Sequence, residues 1–83
     1  MNNEPLVRAI AAAMMFLEES GPDEVDPDSA VRTMETMGYE LLRLVGSDRA
    51  EFLDLVERVA TDGDPRDAAF IRGIPRAIGM VEG

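Results

Sequence analysis

Apolar residues recur along this chain at spacings of three and four, the period that lines one side of an α-helix. Nowhere do they alternate with polar residues at the period of two that a half-buried strand requires. The longest such series is Val31, Met34, Gly38, Leu41 and Val45, with Ala30 and Leu42 beside it, and it predicts one buried stripe on a helix. A second series, Phe52, Leu55, Val56 and Val59, leaves Asp54, Glu57 and Arg58 facing water. The N-terminal segment departs from this pattern. Leu6, Ile10, Ala13, Met14 and Leu17 form its main stripe, yet the opposite side carries Ala11, Ala12 and Met15, with Phe16 at the margin and only Arg8 and Glu19 as polar residues. A helix apolar around most of its circumference is either central in the fold or covered by something else. Ala11, Ala12 and Met15 are therefore the expected self-association face.

Punctuation between the stripes sets the element boundaries. Pro5 suits a first helical turn, and the pattern then runs to Ser20 before Gly21 and Pro22 stop it. Asp26-Pro27 opens the second helix, because the Asp carboxylate accepts from orphan N–H groups and the Pro has no N–H to leave unpaired. That helix is predicted to reach Val45, with Gly46 supplying a left-handed position. Ser47 or Asp48 is the expected cap of the third helix, since Asp48 and Glu51 have capping-box spacing, and the helix ends near Thr61 to Gly63. Asp64-Pro65 opens a short helix to about Arg72, Gly73 breaks it, and Pro75 begins a last turn ending at Gly79. Short connections favour antiparallel neighbours. The prediction is an all-α single domain over residues 1–83, a small up-down bundle of three long helices closed by a short C-terminal helical segment.

Composition narrows the function. With 17 acids against 8 basic residues the formal charge is −9, which repels phosphate backbones and anionic lipid, so neither nucleic acid nor a membrane surface is an expected partner. The tight turn before the third helix invites a helix-turn-helix reading, but Asp48 and Glu51 would then face the nucleic acid. The apolar run from Leu6 to Leu17 is interrupted by Arg8 and falls short of the roughly 20 residues a membrane span needs. No Lys or Arg precedes it, as a secretory signal would require, and a cytoplasmic location is expected. The chain has no His, Cys, Lys or Trp, which removes the groups that titrate or attack near neutral pH. Ser20, Ser29 and Ser47 stand beside helix ends, where hydroxyls cap. No catalytic residue, no cofactor and no enzymatic activity are expected.

Six acids fall within 11 residues: Glu18, Glu19, Asp23, Glu24, Asp26 and Asp28. Asp26 is explained as a cap and Asp28 as a first-turn acid favoured by the helix dipole. Glu18, Glu19, Asp23 and Glu24 have no such duty and are the candidate contacts for a basic partner, where charge speeds encounter and selects against wrong partners. Tyr39, with Arg32 and Arg43 on the same polar side of the second helix, is a second candidate contact, because Tyr and Arg are enriched at binding hot spots. Glu24, Asp26, Asp28 and Glu35 align with positions one, three, five and twelve of a calcium loop. Ser29 then stands where Gly is needed and Pro27 starts a helix inside the loop, so no metal ligand is assigned. Asp62, Asp64 and Asp67 form a second acidic group, accounted for by capping, first-turn placement and a loop.

Three blocks, Val25-Asp26-Pro27-Asp28-Ser29-Ala30-Val31, Glu51-Phe52-Leu53-Asp54-Leu55-Val56-Glu57-Arg58 and Phe70-Ile71-Arg72-Gly73-Ile74-Pro75, resemble segments of small acidic bacterial all-helical proteins to which no activity is attached. The resemblance implies an intracellular bacterial origin and a helical fold, and it carries over no functional residue. The functional expectation is a non-enzymatic protein–protein interaction module that binds another, basic protein, by analogy with small acidic inhibitor and immunity proteins. The alternatives are a self-associating structural subunit, a homodimer through the first helix, and a metal-binding protein using the acidic turn.

Overall fold

The computed structural model describes residues 1–82. Four helices follow one another, α1 (Glu4–Glu19), α2 (Pro27–Leu41), α3 (Gly46–Asp62) and α4 (Ala68–Ala77), with no strand among the described residues, so the chain is all-α. α1 is the hub. It packs against α2, α3 and α4, whereas among the described residues α2 packs as a helix against α1 alone. The broad apolar circumference of α1 is thereby explained by a central position, the first of the two readings its sequence allowed.

The core forms where α1, α3 and α4 meet. Val7, Ala11 and Met14 enter it from α1, Phe52, Leu55, Val56, Val59 and Ala60 from α3, Ile71 and Ile74 from α4, and Met80 from the segment beyond. Met14 is wholly buried at its centre. All four apolar positions expected on the third helix are among these, and Asp54, Glu57 and Arg58 face water as the pattern required.

The stripe expected on α2 is only half covered. Gly38 is buried and Ala30, Met34 and Leu41 are partly so, but Val31 is 58% exposed and Val45 68%. The cause is the missing neighbour: neither α3 nor α4 packs along it as a helix, so α2 has one helical partner for a stripe wide enough to serve two. α2 also stops four residues before Val45. Arg43 N–H donates to the Glu40 carbonyl at 3.1 Å and Leu44 N–H to that of Leu41 at 3.0 Å, a tighter winding that ends the helix. Val45 is then extended, and Gly46, at φ 58°, takes the left-handed position that turns the chain into α3. Val45 is the N-cap of α3 and no side chain caps it, so Ser47 and Asp48 are first-turn residues and the expected capping box is not formed.

Two further boundaries differ from expectation. Asp64 does not start a helix; its carboxylate accepts from Arg66 N–H at 2.9 Å and holds the Arg66 guanidinium, closing a turn, and α4 begins at Ala68. α4 then runs through Gly73 and Pro75. A Gly and a Pro in a helix interior cost about 1 and about 3 kcal/mol respectively, but Ile71, Ile74 and Pro75 are all buried against α1 and α3, and that burial holds the helix together. It ends in a Schellman turn: Gly79 has φ 84°, Met80 N–H donates to the Pro75 carbonyl at 2.8 Å and Gly79 N–H to that of Arg76 at 3.1 Å. Arg49 from α3 secures the same end by donating to the Met80 carbonyl at 2.8 Å.

Candidate functional site

Among the described residues, Asp26 is the one acid of the 18–28 run whose side chain makes a hydrogen bond. Its carboxylate accepts from Ser29 N–H at 3.0 Å and from the Ser29 hydroxyl at 3.1 Å, capping α2 with Pro27 in its first turn, as the sequence indicated. Asp28 follows in the first turn. Glu18 and Glu19 end α1, Asp23 and Glu24 lie in the connecting turn, and all four are exposed. Among the described residues the ion pairs are Arg8–Glu4, Arg43–Glu40, Arg66–Asp64 and Arg72–Glu57, so none neutralises this run. The acidic end of the α1–α2 pair is thus a patch of uncompensated negative charge.

The acids that do pair lie elsewhere. Arg72 on α4 donates to both Glu57 carboxylate oxygens on α3, at 3.1 and 3.0 Å, and this hydrogen bond holds the Glu57 carboxyl below its ordinary range and the guanidinium above its own. Asp64 is lowered in the same way by the Arg66 side chain and backbone N–H. These are structural clasps. Tyr39 is 72% exposed, and Arg43 is turned to Glu40 at 3.4 Å, while Arg32 is exposed on the same helix. The structure therefore places Tyr39 and Arg32 on open surface and engages Arg43 with a neighbouring acid.

The expected self-association trio divides. Ala11 is 2% exposed and belongs to the core, and Met15 is partly covered where α1 meets α3 and α4, beside Val59, Gly63 and Ile71, leaving only Ala12 exposed. The reason is the central position of α1, which turns that side inward. Its open apolar side is instead the arc bearing Leu6, 51% exposed, Phe16, 55% exposed, and Ala9 and Ala13 between them. The calcium-loop alignment also has no geometric counterpart: among the described residues no three acids come together in a way that could hold a metal ion, because α2 starts at Pro27 and carries Glu35 away from the turn.

Sequence reasoning missed the concave surface. Gly38 of α2 faces Ile78, the residue that follows α4, so closely that an added Cβ would lie 3.2 Å from its Cβ and Cγ2. Three depressions of about 440, 250 and 310 Å³ surround this contact and share Met34 and Ala77; the first lies against the end of α1, the α1–α2 connection and the start of α2, and the other two lie between α2 and the α4 side. Leu17, Val31, Phe70 and Ile78 extend the apolar lining, Glu18 and Glu35 stand on its rim, and among the described residues no basic side chain borders any of the three. The available signal was Gly38, a residue without a side chain in a helical stripe of larger ones, which marks a close approach on one side and a gap beyond it.

Compared with known protein families, characterised proteins and solved structures, the chain matches none. No helix is long and apolar enough to cross a membrane among the described residues.

Proposed function

We infer that the protein is a non-enzymatic interaction module that binds a basic protein, with Glu18, Glu19, Asp23 and Glu24 facing the partner. One observation carries this reading: these four exposed acids have no ion pair among the described residues, and one of them, Glu18, lines an apolar concavity that no described basic side chain borders. Like charges left uncompensated at one end of a fold cost stability through mutual repulsion, and a cationic surface relieves that cost on binding. Chemistry on a substrate finds no support in a side-chain set without imidazole, thiol or amine. A cytoplasmic location fits the reading, as does the frame of three longer helices with a shorter fourth. The test is association kinetics of a captured partner with the wild type and with the variant carrying Glu18→Gln, Glu19→Gln, Asp23→Asn and Glu24→Asn, at two salt concentrations. The variant should associate more slowly, dissociate nearly unchanged, and approach wild type at high salt, because exposed charges are screened beyond about 8 to 10 Å. An unchanged association rate at low salt would refute it.

A second reading, homodimerisation through α1, is supported by the exposed and uncharged arc of Leu6, Ala9, Ala13 and Phe16. Light scattering at micromolar concentration separates the two: a 9.1 kDa particle removes the dimer, and a larger one that Phe16→Glu dissociates supports it.

A further inference from the structure

The apolar trough follows one side of α2 from Val31 to Leu42, about 17 Å of helix or three turns, bordered by the end of α1 and the α1–α2 connection at one end and by α4 and Ile78 at the other. Its floor is Met34 and Ala77, which line all three depressions, with Ile78 in two of them. An apolar groove of this length is long enough to take about three turns of another helix. Met34 is suited to such a floor, because an unbranched thioether side chain adapts its rotamer to what is laid on it.

We propose that this trough seats one helix of the basic partner, an amphipathic helix whose apolar stripe lies on Met34, Ala77 and Ile78 and whose flanking Lys or Arg side chains meet Glu18 and Glu35. The inference rests on the reading of the chain as a binder of a basic protein. Charge complementarity selects this occupant. The rim carries the Glu18 carboxylate on the α1 side and that of Glu35 on the α2 side, and among the described residues the lining has no cation to repel a basic helix. A second copy of the chain is the wrong sign, since it would bring another −9 to the same place. Seating a helix here also covers Val31 and the half-buried side of Met34, supplying the second neighbour that the α2 stripe lacks.

The full chain is titrated with a synthetic peptide of about 18 residues bearing Leu at i, i+3, i+4 and i+7 with Arg between, and with a scrambled peptide of identical composition and charge. Anisotropy gives affinity and backbone amide shifts give location. The patterned peptide should bind at least about tenfold more tightly than the scrambled one, with the largest shifts at Met34, Ala77 and Ile78. Ala77→Trp, which fills the trough from an exposed position, should weaken it by about tenfold or more and leave the scrambled peptide unaffected. Val31→Arg, at a 58% exposed site, is the second variant and should weaken the patterned peptide more than the scrambled one. Equal binding of both peptides would overturn the trough and leave the charge-based partner reading intact. No binding of either at low salt would also overturn it, while the partner reading would still be decided by the association kinetics above. A particle larger than the monomer that Ala77→Trp dissociates would assign the trough to a second copy and overturn the basic helix.

Discussion

Two glycines in helix interiors, Gly38 and Gly73, give the packing of α2 its sharpest test. A Cβ added at Gly73 meets nothing within 4 Å, and its φ is not positive, so alanine there gains helix propensity without strain. Gly73→Ala should stabilise by about 0.5 to 1 kcal/mol, partly by restricting the unfolded chain. Gly38→Ala makes the same local gain, but its Cβ would lie 3.2 Å from both Cβ and Cγ2 of Ile78, with the Ile78 backbone 3.9 Å away. Ile78 is β-branched and is held between the end of α4 and the Schellman turn at Gly79, which restricts its rotation, so the few tenths of an ångström the new Cβ needs come from the packing around it. Overpacking of this kind costs about 1 to 3 kcal/mol, leaving Gly38→Ala between neutral and about 2 kcal/mol destabilised. By chemical denaturation Gly73→Ala should be the more stable of the two variants, by about 1 to 3 kcal/mol. For a domain this size each kcal/mol moves Tm by about 4 to 8 °C, so the order is unambiguous in a thermal melt. Equal stabilisation by both would mean that α2 does not rest on Ile78, and the trough geometry would fall with that contact.

Asp26→Ala should cost about 0.5 to 2 kcal/mol because it orphans the Ser29 N–H at the start of α2, whereas Asp23→Ala, in the exposed turn, should cost less than about 0.5; denaturant midpoints decide between them. Met14→Ala, at the wholly buried centre of the core, should cost about 2 to 5 kcal/mol, a large part of the roughly 4 to 12 kcal/mol expected for a domain of this length, with the loss read from urea unfolding. Glu57 is lowered from an ordinary value near 4.5, so its clasp on Arg72 contributes above that value and is lost as pH falls through the lower folded one. Glu57→Gln should accordingly flatten stability against pH in the acid range below about 4.5 and leave the midpoint's pH dependence near neutrality unchanged.

Much of the fold was legible because local chemistry and tertiary packing agreed. Asp26-Pro27 capped α2 as written, the four apolar positions of α3 all entered the core, and α1 ended before Gly21. The failures came where tertiary contacts overruled local signals. Gly73 and Pro75 read as breakers, yet the burial of Ile71 and Ile74 on either side carried α4 through both. Asp64-Pro65 matched Asp26-Pro27 in sequence, but Arg66 captured the Asp64 carboxylate for a turn instead of a helix cap. Ala11 looked like a second face only because a sequence pattern cannot say that α1 is flanked on several sides.

The candidate site was legible in charge and illegible in shape. The acids at 18–24 stand exposed and unpaired among the described residues, which their lack of capping duty had indicated. The trough needed α2 and α4 in three dimensions, and its lining residues Ala77 and Ile78 lie some 40 residues from Met34 in sequence. The disagreement over α2 is nonetheless informative. Its stripe predicts more burial than the isolated fold supplies, and a helix patterned for two neighbours but given one keeps the difference as exposed apolar surface, here Val31, Leu42 and the open side of Met34. Such surface beside the carboxylates of Glu18 and Glu35 is what the proposed binding of a basic helix would cover. The same reasoning makes α2 the least anchored helix. A peptide that fills the trough should raise its amide protection against hydrogen exchange more than that of α3, whose apolar stripe is already fully covered.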